Sequence, residues 1–151
     1  MKFSNAAPPV ALLKILLIDD NLRGLNARKT VLEEQGYATA IATSGEDGIE
    51  QFESGHFDLV ITDYKMPRMN GADVIAQIQA HRPGTPTVLI SGMVEALGLS
   101  EQNTGADVVL AKNNNEVAQL IRAVNRLLRA KTPKKPVRSQ ASTLKVKRKT
   151  V

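Results

Sequence analysis

Short apolar runs alternate with amphipathic stretches through most of this chain. Most of the runs are continuous rather than alternating, which is typical of parallel strands that are covered on both faces. They are residues 15–18, 37–42, 59–61, 88–90 and 108–110. Helical stretches lie between and after them, at residues 21–35, 44–54, 70–81, 95–103 and 114–129. Five strand–helix units of this size predict an α/β fold with a doubly wound, five-stranded parallel sheet.

The ends of the helices carry their own signals. In the last helix one aliphatic stripe is expected to face the sheet, and an asparagine among residues 113–115 is expected to cap the start. The stripe consists of Val117, Leu120, Ile121, Val124, Leu127 and Leu128. Ser44 and Asp47 open the second helix in a pattern close to a capping box. Gly36 and Gly55 follow two helices, where a left-handed terminating residue is favoured.

The net charge of +5 is unevenly distributed. Residues 131–151 hold eight of the 20 Lys and Arg residues and no acid, so 12 basic residues face all 15 acidic residues in the rest of the chain. That body is therefore acidic, with a net charge of −3. We predict an N-terminal extension at 1–12, a folded domain at 13–130 and a disordered basic tail at 131–151.

Several kinds of site are excluded or disfavoured. Without cysteine the chain has no disulfide, thiolate metal site or cysteine nucleophile. No glycine-rich dinucleotide or ATP loop occurs, and His56 and His81 fit surface positions better than ligand positions. No apolar run approaches the ~18 residues of a membrane span. We therefore expect a cytoplasmic protein without a bound nucleotide.

Polar residues follow the predicted strands. Asp19 and Asp20 come after the first, Asp63 after the third, Ser91 after the fourth and Lys112 after the fifth. In such a sheet these positions converge on the edge where ligands bind. Three carboxylates gathered there repel by about 1–4 kcal/mol per pair, which a divalent cation relieves. An all-oxygen cluster without cysteine or histidine favours Mg²⁺ over zinc.

One segment suggests a family. Residues 63–71, read as Asp-Tyr-Lys-Met-Pro-Arg-Met-Asn-Gly, resemble the D-x-x-M-P-x-M-x-G segment of response-regulator receiver domains. Asp19 and Asp20 are similar to that family's acidic pair, and Ser91 and Lys112 match its Ser/Thr and lysine. Residues 105–107 resemble the G-A-D turn before the fifth strand. The resemblance covers residues 13 to 130 and implies a flavodoxin-like receiver fold.

The resemblance also implies roles for these residues. Asp63 is expected to accept a phosphoryl group from a histidine kinase or a phosphotransfer protein. Asp20, Asp63 and the backbone carbonyl of Lys65 would bind Mg²⁺ directly, and Asp19 would act through water. Lys112 and Ser91 would bind phosphoryl oxygens. The protein would catalyse its own phosphorylation and dephosphorylation, and would switch a surface toward an unidentified downstream protein.

The chain departs from the family pattern on its output side. Val109 stands where an aromatic residue is usual, and Asn113 replaces a proline, so the family's cis Lys–Pro bond is not expected. Gly98 interrupts the fourth helix. These departures leave open a module that interacts without phosphorylation. A third hypothesis is a receiver whose tail binds nucleic acid or another anionic surface, although a solvated terminus fits the tail's composition better.

Overall fold

Five strands form one parallel sheet, as the sequence predicts, and the second strand along the chain lies at one edge, followed in the sheet by the first, third, fourth and fifth. The computed structural model describes residues 12–129, so the predicted tail and most of the predicted extension lie outside it. The strands are β1 (Lys14–Ile18), β2 (Ala38–Ala42), β3 (Leu59–Asp63), β4 (Thr87–Ser91) and β5 (Val108–Ala111). The helices are α1 (Leu22–Glu34), α2 (Gly45–Ser54), α3 (Gly71–His81), α4 (Val94–Leu97), α5 (Glu101–Thr104) and α6 (Glu116–Arg129).

Strand β1 shows why its sequence reads as a continuous apolar run. Ile15 and Leu17 pack with α1 and α6 on one face of the sheet, whereas Leu16 and Ile18 pack with α2 and α3 on the other. Each of these side chains is at most 1% exposed. Because these four positions face packed helices on the two sides of the sheet, each carries an apolar side chain, and β1 forms part of the core.

The helix ends confirm some predictions and contradict others. The Ser44 side chain accepts the Asp47 N–H at 3.0 Å, and Gly36 is left-handed at φ 98°. Gly55 was expected to be left-handed as well, but it is extended at φ −122° and leads directly toward β3. Before α6, the Asn113 side chain accepts the Asn115 N–H at 2.8 Å.

The apolar stripe of α6 is shorter than predicted. Leu120, Val124 and Leu128 are buried against the sheet. Val117 is 50% exposed, because the first turn of α6 lies beyond the part of the helix that packs on the core. His56 and His81 are exposed, as predicted.

The segment between β4 and β5 holds two helices of four residues each instead of one longer helix. Gly98 ends α4 in the left-handed conformation, at φ 62°, which most other residues adopt only with strain. Ser100 then begins α5 with a complete capping box, in which Asn103 is the partner. The interruption that the sequence predicts at Gly98 is therefore a break between two helices. In residues 12–129 no helix has the length and apolar character to cross a bilayer.

Candidate functional site

A cavity of about 270 Å³ opens at the carboxyl edge of the sheet. Asp63 and Ser91 are the last residues of β3 and β4, and Lys112 immediately follows β5. The cavity lining includes all six residues that the sequence selected for this site: Asp19, Asp20, Asp63, Lys65, Ser91 and Lys112. Parallel strands bring them together because the strands all end at the same edge.

Three carboxylates form the acidic side of this cavity. Asp19, Asp20 and Asp63 each offer one oxygen, and these oxygens all lie within 4.8 Å of one another. Asp19 and Asp63 are buried, and Asp20 is exposed. A set of oxygen ligands with one open side fits Mg²⁺, which usually keeps several of its waters. The residues present therefore fit the metal that the sequence predicted.

Lys112 supplies a positive charge to the same cavity. Its Nζ lies 2.9 Å from Asp63 Oδ1 and 3.9 Å from Asp19 Oδ2. Its backbone N–H donates to the Ser91 carbonyl at 3.0 Å, which fixes the start of the side chain beside the end of β4. The Lys112 side chain is one-third exposed, so its ammonium group can follow a group that enters from solvent.

The surroundings of Asp63 oppose its ionisation. Burial raises the pKa of the Asp63 carboxyl above its ordinary value of 3.8, and the negative charge of Asp19 raises it further. The hydrogen bond and charge of Lys112 act in the opposite direction but do not cancel these effects. Ionised Asp63 therefore lowers the stability of the folded protein, and a positively charged ligand in the cavity would reduce this destabilisation.

Ser91 has a hydroxyl group within a buried strand end. The side chain is almost fully buried, and its Oγ accepts the Met93 N–H at 2.9 Å. A hydroxyl that accepts in this way still has its own proton to donate. Ser91 thus connects the cavity to the residue directly before α4.

The loop after Asp63 is shaped by close backbone packing. Asn70 and Asp73 form a complete capping box at the start of α3. The Gly71 N–H donates to the Tyr64 carbonyl at 2.7 Å. A methyl group on Gly71 would overlap the carbonyl oxygen of Asp63, so the backbone can approach this closely only at glycine. The motif that suggested the family therefore also positions Asp63.

Comparison with known proteins agrees with this geometry. The sequence model of the response regulator receiver domain matches residues 15–125. The chain belongs to this family. The family membership and the complete cavity support a phosphoacceptor role for the receiver domain. Mg²⁺ and phosphorylation are standard features of such domains in two-component systems.

Two curated relatives are much longer than this receiver domain. Aerobic respiration control sensor protein ArcB of Escherichia coli (strain K12) is 30% identical over 107 residues, which is 69% of this chain and 14% of ArcB. Regulatory protein AtoC of the same organism is 28% identical over 130 residues, which is 85% of this chain and 28% of AtoC. The chain thus spans a small part of the curated relatives that it matches.

Solved structures match over nearly their whole length. A response regulator receiver domain protein from Clostridium thermocellum is 31% identical, with a TM-score of 0.71 over 80% of this chain and 97% of that one. TrrA from Thermotoga maritima, solved in complex with Mg²⁺-BeF, is 30% identical, with a TM-score of 0.70 over 78% of this chain and all of TrrA.

The departures from the family pattern have structural counterparts. Val109, Tyr64 and Leu99 each pack against a small buried cluster that includes Leu89. The aromatic ring in this region thus comes from Tyr64, which follows β3, and not from β5. The Val109 N–H donates to Glu101 Oε2 at 3.0 Å, which connects the edge strand to α5. Residues 12–129 contain no cis peptide bond.

Sequence reasoning missed one charged residue beside the cavity. Arg28 of α1 is 9% exposed, and its guanidinium lies 3.0 Å from Asp19 Oδ2 and 2.8 Å from Glu116 Oε2. Burial alone would lower the pKa of Arg28, but its hydrogen bonds and charge interactions with Glu116 and Asp19 raise it overall. The available signal was an arginine midway between the buried Leu25 and Leu32, on the apolar face of α1.

Proposed function

We propose that this receiver domain accepts a phosphoryl group on Asp63 from a histidine kinase or a histidine phosphotransfer protein. The observation that carries the proposal is the pairing of Lys112 Nζ with Asp63 Oδ1 at 2.9 Å, in a cavity that also holds the acidic cluster and Ser91. A nucleophile, a countercharge and a hydrogen-bond donor at one sheet edge are the groups that phosphoryl transfer requires.

The transfer forms one bond and breaks one. A carboxylate oxygen of Asp63 attacks the phosphorus of a phosphohistidine, and the N–P bond breaks with its electron pair going to the imidazole. The product is an acyl phosphate on Asp63. Lys112 stabilises the charge on a phosphoryl oxygen, and the Ser91 hydroxyl donates to another. The protein catalyses its own phosphorylation and dephosphorylation rather than turnover of a separate substrate.

We propose the acidic cluster as the binding site for Mg²⁺. Asp20, Asp63 and the backbone carbonyl of Lys65 would bind the ion directly, and Asp19 would bind one of its waters. When bound, the ion supplies the positive charge that brings the acidic cluster and an anionic phosphoryl group together. The raised pKa of Asp63 is consistent with a site in which added positive charge is favourable.

The Ser91 hydroxyl supports a switch at the output side. It accepts the Met93 N–H at 2.9 Å, directly before α4. A hydroxyl that turns toward a phosphoryl oxygen would change this bond and the loop that carries it. We propose that this change alters the surface formed by residues 92–107 and so its contacts with a downstream protein.

Mass spectrometry tests the acceptor directly. The protein is incubated with acetyl phosphate and Mg²⁺, and its intact mass is measured. We expect one phosphoryl adduct on the wild type, none on Asp63→Asn, and an adduct on Glu50→Gln, which removes an exposed carboxylate outside the cavity. A wild type without adduct, or an adduct retained in Asp63→Asn, would reject Asp63 and favour the module that acts without phosphorylation.

A second candidate function concerns the basic end of the chain. Arg122, Arg126 and Arg129 of α6 line an open groove of about 600 Å³, and residues 131–151 add eight cations after this helix in the sequence. We propose nucleic acid as the partner of these basic residues, because each cation that contacts a phosphate adds to the binding affinity. Duplex DNA binding measured by anisotropy should fall steeply with salt and disappear when residues 131–151 are deleted. Full binding by the deleted protein would remove this candidate.

The proposed setting is the bacterial cytoplasm. A histidine kinase or phosphotransfer protein that donates to Asp63 must present its phosphohistidine there. Fractionation of cells that express the full chain, followed by immunodetection, tests this location. Recovery in the membrane or secreted fraction would contradict it.

A further inference from the structure

Arg28 occupies a position where α1 would ordinarily carry an apolar residue. It lies between Leu25 and Leu32 on the face that packs against the sheet, and its side chain is 10% exposed. A cation buried to this extent is stable only with charged partners. Arg28 has two, Asp19 at the end of β1 and Glu116 at the start of α6.

The first partner belongs to the acidic cluster. Arg28 Nη1 is 3.0 Å from Asp19 Oδ2, the same oxygen that lies 3.9 Å from Lys112 Nζ. The other oxygen, Oδ1, accepts the Asn21 N–H at 3.0 Å. Both oxygens of Asp19 are therefore engaged, one by a backbone group and one by Arg28. Removing the Arg28 charge would leave the Asn21 bond to orient Asp19.

Gly24 lies beside this ion pair. A Cβ atom at Gly24 would lie 3.4 Å from Arg28 Nη1 and 3.5 Å from Asp19 Oδ2, which is ordinary van der Waals contact. The first turn of α1 therefore packs directly on both partners of the ion pair.

Glu116, the second partner, competes with Asp19 for the positive charge of Arg28. Glu116 Oε2 lies 2.8 Å from Arg28 Nε, and the Glu116 side chain is 16% exposed. One guanidinium charge is therefore shared between the acidic cluster and α6. A neutral residue at 116 would leave more of that charge acting on Asp19, and a neutral residue at 28 would remove it from the cluster.

We propose that the Arg28–Glu116 pair sets the affinity of the acidic cluster for Mg²⁺, with Arg28 weakening binding and Glu116 partly restoring it. The inference rests on the proposed function, because it takes Asp19, Asp20 and Asp63 as the metal site. Arg28 is a positioning residue here: it acts on the metal through Asp19. Because Glu116 belongs to α6, the pair also connects the cluster electrostatically to that helix.

Two single substitutions distinguish this role from a structural one. Mg²⁺ affinity is measured by isothermal titration calorimetry at constant ionic strength, without a phosphodonor. We expect Arg28→Met to bind Mg²⁺ about threefold to tenfold more tightly than the wild type, and Glu116→Gln to bind it more weakly by a similar factor. Arg28→Lys keeps the charge and should remain nearer the wild type than Arg28→Met.

The signs of the changes decide the outcome. A merely structural pair would give weaker binding in both variants, since both would disturb Asp19; that result, or two unchanged affinities, overturns the inference. Urea unfolding of each variant verifies its fold, and Arg28→Gln, which also removes the charge, replaces Arg28→Met if that variant does not fold. A wild type that takes up no phosphoryl group contradicts the proposed function, whereas wild-type phosphorylation with same-sign affinity changes contradicts only the inference.

Discussion

Two regions of the molecule are built from different amounts of buried structure. We call β3, α3 and the loop between them the acceptor corner, after the role proposed for Asp63, and we call residues 92–107, between β4 and β5, the output segment. At the corner, β3 is buried throughout, and α3 has 11 residues, four of which are buried. Across the cavity, α4 has four residues and none is buried, and α5 has only Thr104 buried. The output segment is held by caps, by the left-handed glycines Gly98 and Gly105, and by the hydrogen bond from the Val109 N–H to Glu101.

This difference indicates that the proposed chemistry at Asp63 and its proposed readout at residues 92–107 are under different physical control. Strand ends cannot move without disturbing the buried sheet, so the acceptor geometry is protected by the stability of the whole domain. The short helices rest on few buried contacts, and they can rearrange at low cost. Three substitutions test this contrast, beginning with the one of largest expected effect.

Gly71→Ala should damage the acceptor corner most. The new methyl group would overlap the Asp63 carbonyl oxygen, and backbone cannot yield as a flexible side chain does. We expect the free energy of unfolding to fall by about 2–3 kcal/mol in urea titrations, together with a loss of phosphorylation by acetyl phosphate. The matched change at the other side is Gly92→Ala, where a Cβ atom has open space. It should cost less than about 0.5 kcal/mol. Equal costs at the two positions would contradict the contrast.

Asp63→Asn should stabilise the domain at neutral pH. Burial and Asp19 raise the pKa of the Asp63 carboxyl above 3.8, so the wild type loses stability as pH rises through the folded-state pKa. The variant carries no charge and should be about 1 kcal/mol more stable at pH 7, with the difference shrinking toward pH 4. Urea unfolding with EDTA measures this, because EDTA removes divalent cations. Glu50→Gln controls for net charge; a similar gain there would argue against a local cause.

Glu101→Ala should have the smallest effect on stability. It removes the acceptor of the Val109 N–H on edge strand β5, where water can replace the lost bond. We expect a cost of about 0.5–1 kcal/mol and faster amide hydrogen exchange at Val109, with the phosphoryl adduct on Asp63 unchanged. Glu95→Ala, an exposed acid on α4, is the control. Loss of the adduct in Glu101→Ala would mean that the output segment supports the acceptor after all.

The sequence predicted most of the sheet and the candidate site because both follow from local patterns. Continuous apolar runs identify strands that are covered on both faces, and the residue after each run must lie at the ligand-binding edge. The pattern of runs alone was therefore enough to place Asp63, Ser91 and Lys112 together. The same reasoning misplaced Gly55 and Val117, because the direction of a chain after a helix and the reach of a core depend on the packing of neighbouring elements.

The sequence by itself determined the parallel sheet and its acidic edge through the order of apolar and polar residues, and it indicated the family through the motif at residues 63–71. Only the tertiary structure revealed that Arg28 reaches Asp19 and Glu116, since those residues are 9 and 88 positions away along the chain. It also decided that the region between β4 and β5 is two short helices with little buried surface. Periodicity reports which face of an element is apolar, whereas pairing of charges across helices depends on distances that only the packed fold fixes.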